Sequence, residues 1–148
     1  MKRIVSVLAL GAAILGIWSC SKSSSSNASP YAMTASKNGS NVSFSGQSSV
    51  IAMNMGTMMM IEGITVGGHD TTGFIFELMN YNGVGTYPLN DTASVGEYIS
   101  GSSLTGALIA TSGSVTITSV TSTLVKGTFN FTTSNGTNIS NGSFSAYE

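Results

Sequence analysis

The chain has 148 residues, a formal net charge of −1 at pH 7 and only 7% charged side chains. Its five lysines and arginines form no basic cluster, which excludes the phosphate contacts on which nucleic-acid binding depends. The single cysteine likewise excludes a disulfide within the chain.

The N-terminus has the pattern of a secretory signal. A basic pair follows the first residue, an apolar stretch covers residues 4–17, and Ser19 precedes Cys20. The run Ile17-Trp18-Ser19-Cys20 resembles the lipobox of bacterial lipoproteins. This resemblance implies that residues 1–19 are removed as a signal peptide and that Cys20 is acylated with diacylglycerol and a further fatty acid such as palmitate. Lipid at Cys20 is therefore the predicted membrane anchor.

Two other interpretations of this N-terminus fit less well. A transmembrane helix needs about 20 apolar residues, more than residues 4–17 provide. A plain secretory signal would leave Cys20 as an unpaired thiol in an oxidising compartment, an outcome that lipidation avoids.

Residues 20–30 are predicted to be the lipidated cysteine and a flexible tether, because residues 21–30 are serine-rich and of low complexity. Bacteroidota lipoproteins that reach the cell surface carry an acidic run after the cysteine, whereas Lys22 and serines stand here. This resemblance favours a protein anchored in the outer membrane and facing the periplasm over one at the cell surface.

Residues 31–148 have the length of a single domain. After removal of the signal, three lysines stand against six acidic side chains, which gives a net charge of −3. Ser, Thr, Asn and Gly take positions where a cytosolic protein would carry charges, a composition that suits an envelope protein rich in strands and turns.

The pattern of this domain is that of strands separated by turns. In residues 126–132, Gly127, Phe129 and Phe131 fall on one face and polar residues on the other, a period of two. The other predicted strands are 42–45, 49–55, 58–66, 72–79, 113–118 and 137–146. Asn38-Gly39 and Asn135-Gly136 are hairpin signals, because Asn and Gly tolerate positive φ.

These runs predict an all-β domain of about eight to ten strands, either an antiparallel β-sandwich or a flattened barrel. Two segments leave alternatives open. Residues 104–110 fit a strand or a helical turn, and the predicted loop at residues 90–103 has room for a short helix over the sheet.

Four short motifs resemble a family of small Bacteroidota lipoproteins with a β-rich domain of unknown function, across most of residues 32–147. They are MTA at 33–35, GTYPL at 85–89, GTFNF at 127–131 and ISNGSF at 139–144. Val42-Ser43-Phe44 stands where the family pattern has a tryptophan. The resemblance implies a location and a β fold, and it brings no catalytic residue.

No catalytic centre is predicted. The only histidine, His69, lies in a glycine-rich run typical of a turn, rather than in a nucleophile and base arrangement. The spacing of the available carboxylates singles out no pair for glycoside hydrolysis; they are Glu62, Asp70, Glu77, Asp91 and Glu97. We therefore expect a protein without enzymatic activity, cofactor or metal centre.

Residues 53–60 contain a cluster of five methionines, the one unusual local feature of the composition. Met53 and Met55 would share one face of a strand, Met58 and Met60 would share one face of the next, and Gly56-Thr57 would turn between them. The favoured interpretation is a methionine-lined patch of the core. Its alternatives are an exposed apolar contact surface and a Cu(I) site, since thioethers are soft ligands.

The predicted function is that of a lipid-anchored cell-envelope protein with a structural or binding role and an unknown ligand. An envelope protein and a glycan are the candidate partners. For the glycan, Tyr81, Tyr87 and Tyr98 lie in or beside loops where their rings could stack on a sugar.

Two threonines are candidate O-glycosylation sites. Thr71 in Asp70-Thr71-Thr72 and Thr92 in Asp91-Thr92-Ala93 resemble the Bacteroidota acceptor pattern, an aspartate followed by Thr or Ser and then a small or apolar residue.

Overall fold

The computed structural model describes residues 29–67, 70–90, 93–101 and 107–148. These residues form ten strands of one sheet and no helix. The strands are β1 (Ala32–Lys37), β2 (Ser40–Ser45), β3 (Val50–Asn54), β4 (Met58–Gly67), β5 (Asp70–Met79), β6 (Gly85–Pro88), β7 (Val95–Gly101), β8 (Leu108–Thr121), β9 (Leu124–Thr133) and β10 (Asn138–Tyr147). The all-β prediction is confirmed, and the barrel is the architecture that the chain adopts.

Seven strands close into a barrel in the order β3, β4, β5, β7, β8, β9, β10. Neighbours in this ring are antiparallel except at the closure, where β10 runs parallel to β3 through Tyr147 and Ile51. A ring with an odd number of strands cannot alternate direction at every step, so at least one parallel pair is required. The prediction of an antiparallel sheet is therefore wrong at this one contact.

Three strands lie outside the ring. β1 and β2 form a hairpin that continues from β10, and β6 pairs with β8. The hairpin packs on the barrel, because a Cβ on Gly63 would lie only 2.6 Å from the Met33 sulfur. The Phe44 ring meets Phe74 edge-on at 5.8 Å. Phe44, in the stretch where the family pattern has a tryptophan, is thus a core residue.

The barrel interior is filled by aromatic and aliphatic side chains. Phe74 lies at its centre and is fully buried. Its ring is 5.2 Å from Phe129, 5.4 Å from Tyr98 and 6.2 Å from Phe131. Strand β9 supplies two of these rings because its predicted period of two is confirmed: Gly127, Phe129 and Phe131 are buried, and polar residues alternate with them.

The predicted hairpin turns are confirmed. Asn38 and Gly39 join β1 to β2 with φ of 48° and 87°, the positive values that a tight primed turn requires. Gly136 joins β9 to β10 with φ of 82°, and its N–H donates to the Thr133 carbonyl at 2.9 Å. Gly56, with φ of 84°, begins the two-residue turn between β3 and β4.

Asn135 organises the β9–β10 turn. Its Oδ1 accepts hydrogen bonds from the hydroxyl groups of Thr133 at 2.7 Å and Thr137 at 2.8 Å. It also accepts the Thr137 backbone N–H at 3.1 Å. Both threonines are buried, and the Thr137 N–H also donates to the Thr133 hydroxyl at 3.1 Å, so the donors of this turn are satisfied within it.

The prediction of a loop at residues 90–103, with room for a short helix, is wrong at residues 95–101. Residues 95–101 form β7, which fits between β5 and β8 in the ring. Tyr98 and Ile99 are both buried although they are consecutive, and this interrupts the period of two that would have revealed the strand. In residues 104–110, the described residues 108–110 begin β8, as the strand alternative predicted.

Candidate functional site

One side of the barrel surface is covered by hydroxyl groups, and we call it the hydroxyl face. Its central row crosses β6, β8, β9, β10, β1 and β2 through the paired residues Thr86, Thr116, Thr128, Ser143, Thr34 and Ser43. Hydrogen bonds of 3.0 Å join Thr86 to Thr116 and Thr34 to Ser143. The row is neutral and satisfies part of its own hydrogen-bonding capacity.

Two shallow depressions lie on the hydroxyl face. One, of about 390 Å³, lies along β1 and β2 and is bordered by Asn41 and Asn141. The other, of about 260 Å³, crosses β8, β9 and β10 and includes Asn130 and Asn138. Both are open to solvent and lined by uncharged residues. Their linings combine hydroxyl and amide groups with apolar atoms.

The surface of β3, β4, β5, β7 and the start of β8 has a different chemistry. A row of paired residues alternates between isoleucine and glutamate, in the order Ile51, Glu62, Ile75, Glu97 and Ile109. We call it the isoleucine–glutamate row. Ile109 is 47% exposed, and the other four side chains are half-buried. Apolar and acidic groups therefore share one open sheet surface.

Four methionines form a corner of this same surface, beside the β3–β4 turn. Met53 pairs with Met60, and the Met55 N–H donates to the Met58 carbonyl at 2.8 Å. Met55 is 50% exposed, while the other three are half-buried. We call these four residues the methionine corner. The prediction that they line the core is wrong. In this hairpin the buried methionine is Met59, and the four methionines of the corner lie on the opposite face.

Burial of alternate residues shows which face of the β3–β4 hairpin points toward the core. Val50 and Ala52 in β3, together with Met59 and Ile61 in β4, are buried. Side chains alternate along a strand, so Met53, Met58 and Met60 must point outward. Because both faces of this hairpin are apolar, the sequence pattern alone does not show which face meets the core.

The tyrosine platform predicted for a glycan is not formed. Tyr87 is 6% exposed and Tyr98 is 3% exposed, so both rings belong to the core. Tyr98 packs on Phe74, and the Lys37 ammonium lies 4.7 Å from its ring centre. The Tyr87 hydroxyl donates to the Gly83 carbonyl at 2.7 Å. In the sequence, Tyr87 and Tyr98 lie in or beside predicted loops. In the structure, their rings point into the core.

Tyr81 stacks on Tyr87 with ring centres 5.8 Å apart. Burial raises the pKa of the Tyr81 hydroxyl, and the nearby Tyr87 and Glu148 raise it further. The hydroxyl oxygen has no hydrogen-bond partner among the described residues. This ring therefore braces the loop after β5 rather than offering a face for stacking.

Three of the predicted carboxylates lie on neighbouring strands of the sheet. Glu62, Glu77 and Glu97 lie on β4, β5 and β7, on the outer surface of the sheet. In the described ranges, no three His, Cys, Asp or Glu side chains gather as metal ligands. His69 and Asp91 lie outside the described residues.

Of the predicted modification sites, only Thr71 lies in the described part of the chain. It is in β5, where it pairs with Val66 and Gly101 and is half-buried. Cys20, the predicted lipidation site, and Thr92 lie outside the described residues. Lipidation and O-glycosylation stay predictions.

No helix in the described part of the chain is long and apolar enough to cross a bilayer.

The fold and its two unlike outer faces define a small all-β domain with a closed barrel. Over residues 29–147 the chain matches the family described as a domain of unknown function (DUF6252), and it belongs to that family. No curated protein and no solved structure matches it significantly. The resemblance to a β-rich family of unknown function is thus confirmed, while its bacterial source and lipoprotein character stay predictions.

Proposed function

We propose that the protein is a lipid-anchored, non-catalytic binding protein of the cell envelope, held at the periplasmic side of the outer membrane. The lipobox-like run that ends at Cys20 supports the anchor. The first strand begins at Ala32, so residues 20–30 would connect the lipid to the barrel. Lipid and tether together would leave the outer faces of the barrel free to meet a partner.

Replacing Cys20 by serine should release the protein from the membrane, because a hydroxyl does not replace the thiol that is acylated. Carbonate-washed membrane fractions and the intact mass of the purified protein check this. Ser21→Ala, one residue away, is the matched control and should keep both the acyl mass and membrane attachment. Retention in washed membranes of Cys20→Ser protein whose mass shows the loss of residues 1–19 would contradict the anchor.

The isoleucine–glutamate row carries the proposal that the barrel binds a protein. Glu62 and Glu97 lie two strands apart, which places their backbones about 10 Å from each other. The matching partner is a protein surface that combines apolar side chains with lysine or arginine at a similar spacing. Ile109 and the accessible parts of Ile51 and Ile75 would supply the apolar contact area, and the carboxylates would select the charge of the partner.

A second copy of the chain does not offer that basic surface. Lys37 lies over the Tyr98 ring, and Lys126 lies on β9, within the hydroxyl face. Lys22, in the tether, is the third lysine of the chain without its signal. Charge complementarity therefore favours a different protein as the partner.

A synthetic peptide of alternating lysine and leucine is a suitable probe for this surface. Titration calorimetry with the Cys20→Ser protein should show binding that weakens as salt is added, because salt screens exposed charges. Replacing Glu62 and Glu97 by glutamine should weaken it about tenfold, a change of about 1.4 kcal/mol.

The pair Thr116→Ala and Thr128→Ala, on the hydroxyl face, is the matched control and should leave peptide affinity unchanged. The proposed surface is wrong if the glutamine variant binds the peptide as tightly as its parent. It is also wrong if a peptide with glutamate in place of lysine binds equally well.

A further inference from the structure

The methionine corner brings four thioethers to one face of a single hairpin. Met53 lies opposite Met60, and Met55 lies opposite Met58. Opposing Cβ atoms in such pairs are about 5 Å apart, and same-face neighbours along a strand are about 7 Å apart. Each methionine has three rotatable bonds, so its sulfur can turn toward the centre of this rectangle. The four sulfurs can therefore share one coordination sphere.

The hairpin that carries these methionines is held in place. The Asn54 Oδ1 atom accepts the Gly56 N–H at 3.0 Å at the start of the turn. The Thr57 carbonyl accepts the Tyr81 N–H at 2.8 Å, which ties the turn to the loop after β5. Because the backbone is fixed, binding a ligand at the corner would require ordering of side chains only.

The surroundings of the corner suit a small cation. Glu77 pairs with Met60 and places a carboxylate beside the thioethers. Met79 pairs with Met58 and adds a fifth sulfur, 43% exposed, at the margin. Met79 is in β5, 19 positions from Met60 in the sequence. It lies beside the corner because the register of β4 and β5 pairs it with Met58.

We infer that the methionine corner binds Cu(I). Thioether sulfur is a soft donor that selects Cu(I) over hard cations, and four such donors can fill its coordination sphere. A thioether has no proton to lose, so binding at this corner releases none and needs no deprotonation step. This inference goes beyond the proposed protein contact and does not depend on it, because the two use different residues of the surface.

Cu(I) titration of the full-length chain tests the inference. The chain carries Cys20→Ser, which removes its only thiol, and the titration is done without oxygen against the chelator bicinchoninate. The protein should take up one Cu(I), with an affinity that changes little between pH 6 and 8, and sulfur should be the nearest neighbour in the copper X-ray absorption spectrum. Replacing Met53, Met55, Met58 and Met60 by leucine should abolish the uptake.

Met59→Leu is the matched control, because it changes the buried methionine of the same hairpin and should leave Cu(I) affinity unchanged. If the fourfold variant loses its β circular dichroism spectrum, the milder pair Met53→Leu and Met60→Leu replaces it and should still weaken binding. Uptake by the fourfold variant equal to its parent, or no uptake by the parent, would overturn the inference. The Glu62→Gln and Glu97→Gln pair should bind Cu(I) normally, which separates this result from the peptide experiment.

Discussion

Replacing Phe74 by alanine should lower the free energy of unfolding by about 3–5 kcal/mol. Phe74 is fully buried, and its ring contacts come from three separate parts of the fold: Phe44 in the β1–β2 hairpin, Tyr98 in β7 and Phe129 in β9. Truncation would leave a cavity that these rings, fixed on different strands, can fill only in part. The loss is a large share of the roughly 5–15 kcal/mol that stabilises a typical domain.

Urea unfolding followed by far-UV circular dichroism measures this loss. Ile75→Ala is the matched control, because Ile75 is the next residue of the same strand and points to the outer surface. It should cost about 1 kcal/mol. Equal costs for the two variants would show that Phe74 is not the centre of the core.

Replacing Gly113 by alanine should cost about 3 kcal/mol or more, for two separate reasons. Gly113 has φ of 128°, a backbone conformation that residues with a side chain rarely adopt. A Cβ at this position would also meet the backbone of β9, including the Phe131 Cα at 2.5 Å. Paired backbone has little freedom to move away, so relaxation would disturb the β8–β9 ladder.

Gly101→Ala separates the two contributions to the cost at Gly113. Gly101 has a similar φ of 122°, but a Cβ there would have no neighbour within 4 Å. It should show the backbone strain alone, about 1–3 kcal/mol. Unfolding midpoints in urea compare the two variants, and an equal loss would mean that the contact with β9 adds nothing.

Local patterns in the sequence predicted the parts of the fold that depend on neighbouring residues. The alternation Gly127, Phe129, Phe131 identified β9, and the pairs Asn38-Gly39 and Asn135-Gly136 identified two hairpin turns. Period and turn chemistry are properties of a short stretch of chain, so they can be read before any tertiary contact is known.

Local sequence patterns did not predict the candidate binding surface. Glu62 and Glu97 come together with isoleucines only through the register of four strand pairs, and Met79 reaches Met58 in the same way. The sequence singled out the methionine cluster, yet it favoured the core for four residues that lie on the outer surface, one exposed and three half-buried. It also offered Tyr87 and Tyr98 as candidate stacking groups beside loops, and their rings are buried.

By itself, then, the sequence determined an all-β domain, its hairpin turns and the residues that form the methionine cluster. The tertiary structure alone decided the closure of the barrel, its single parallel contact and the face that each strand turns outward. The reason is physical: a strand with apolar residues on both sides has two self-consistent orientations. Only packing against Phe74 and its neighbours from distant strands selects one of them.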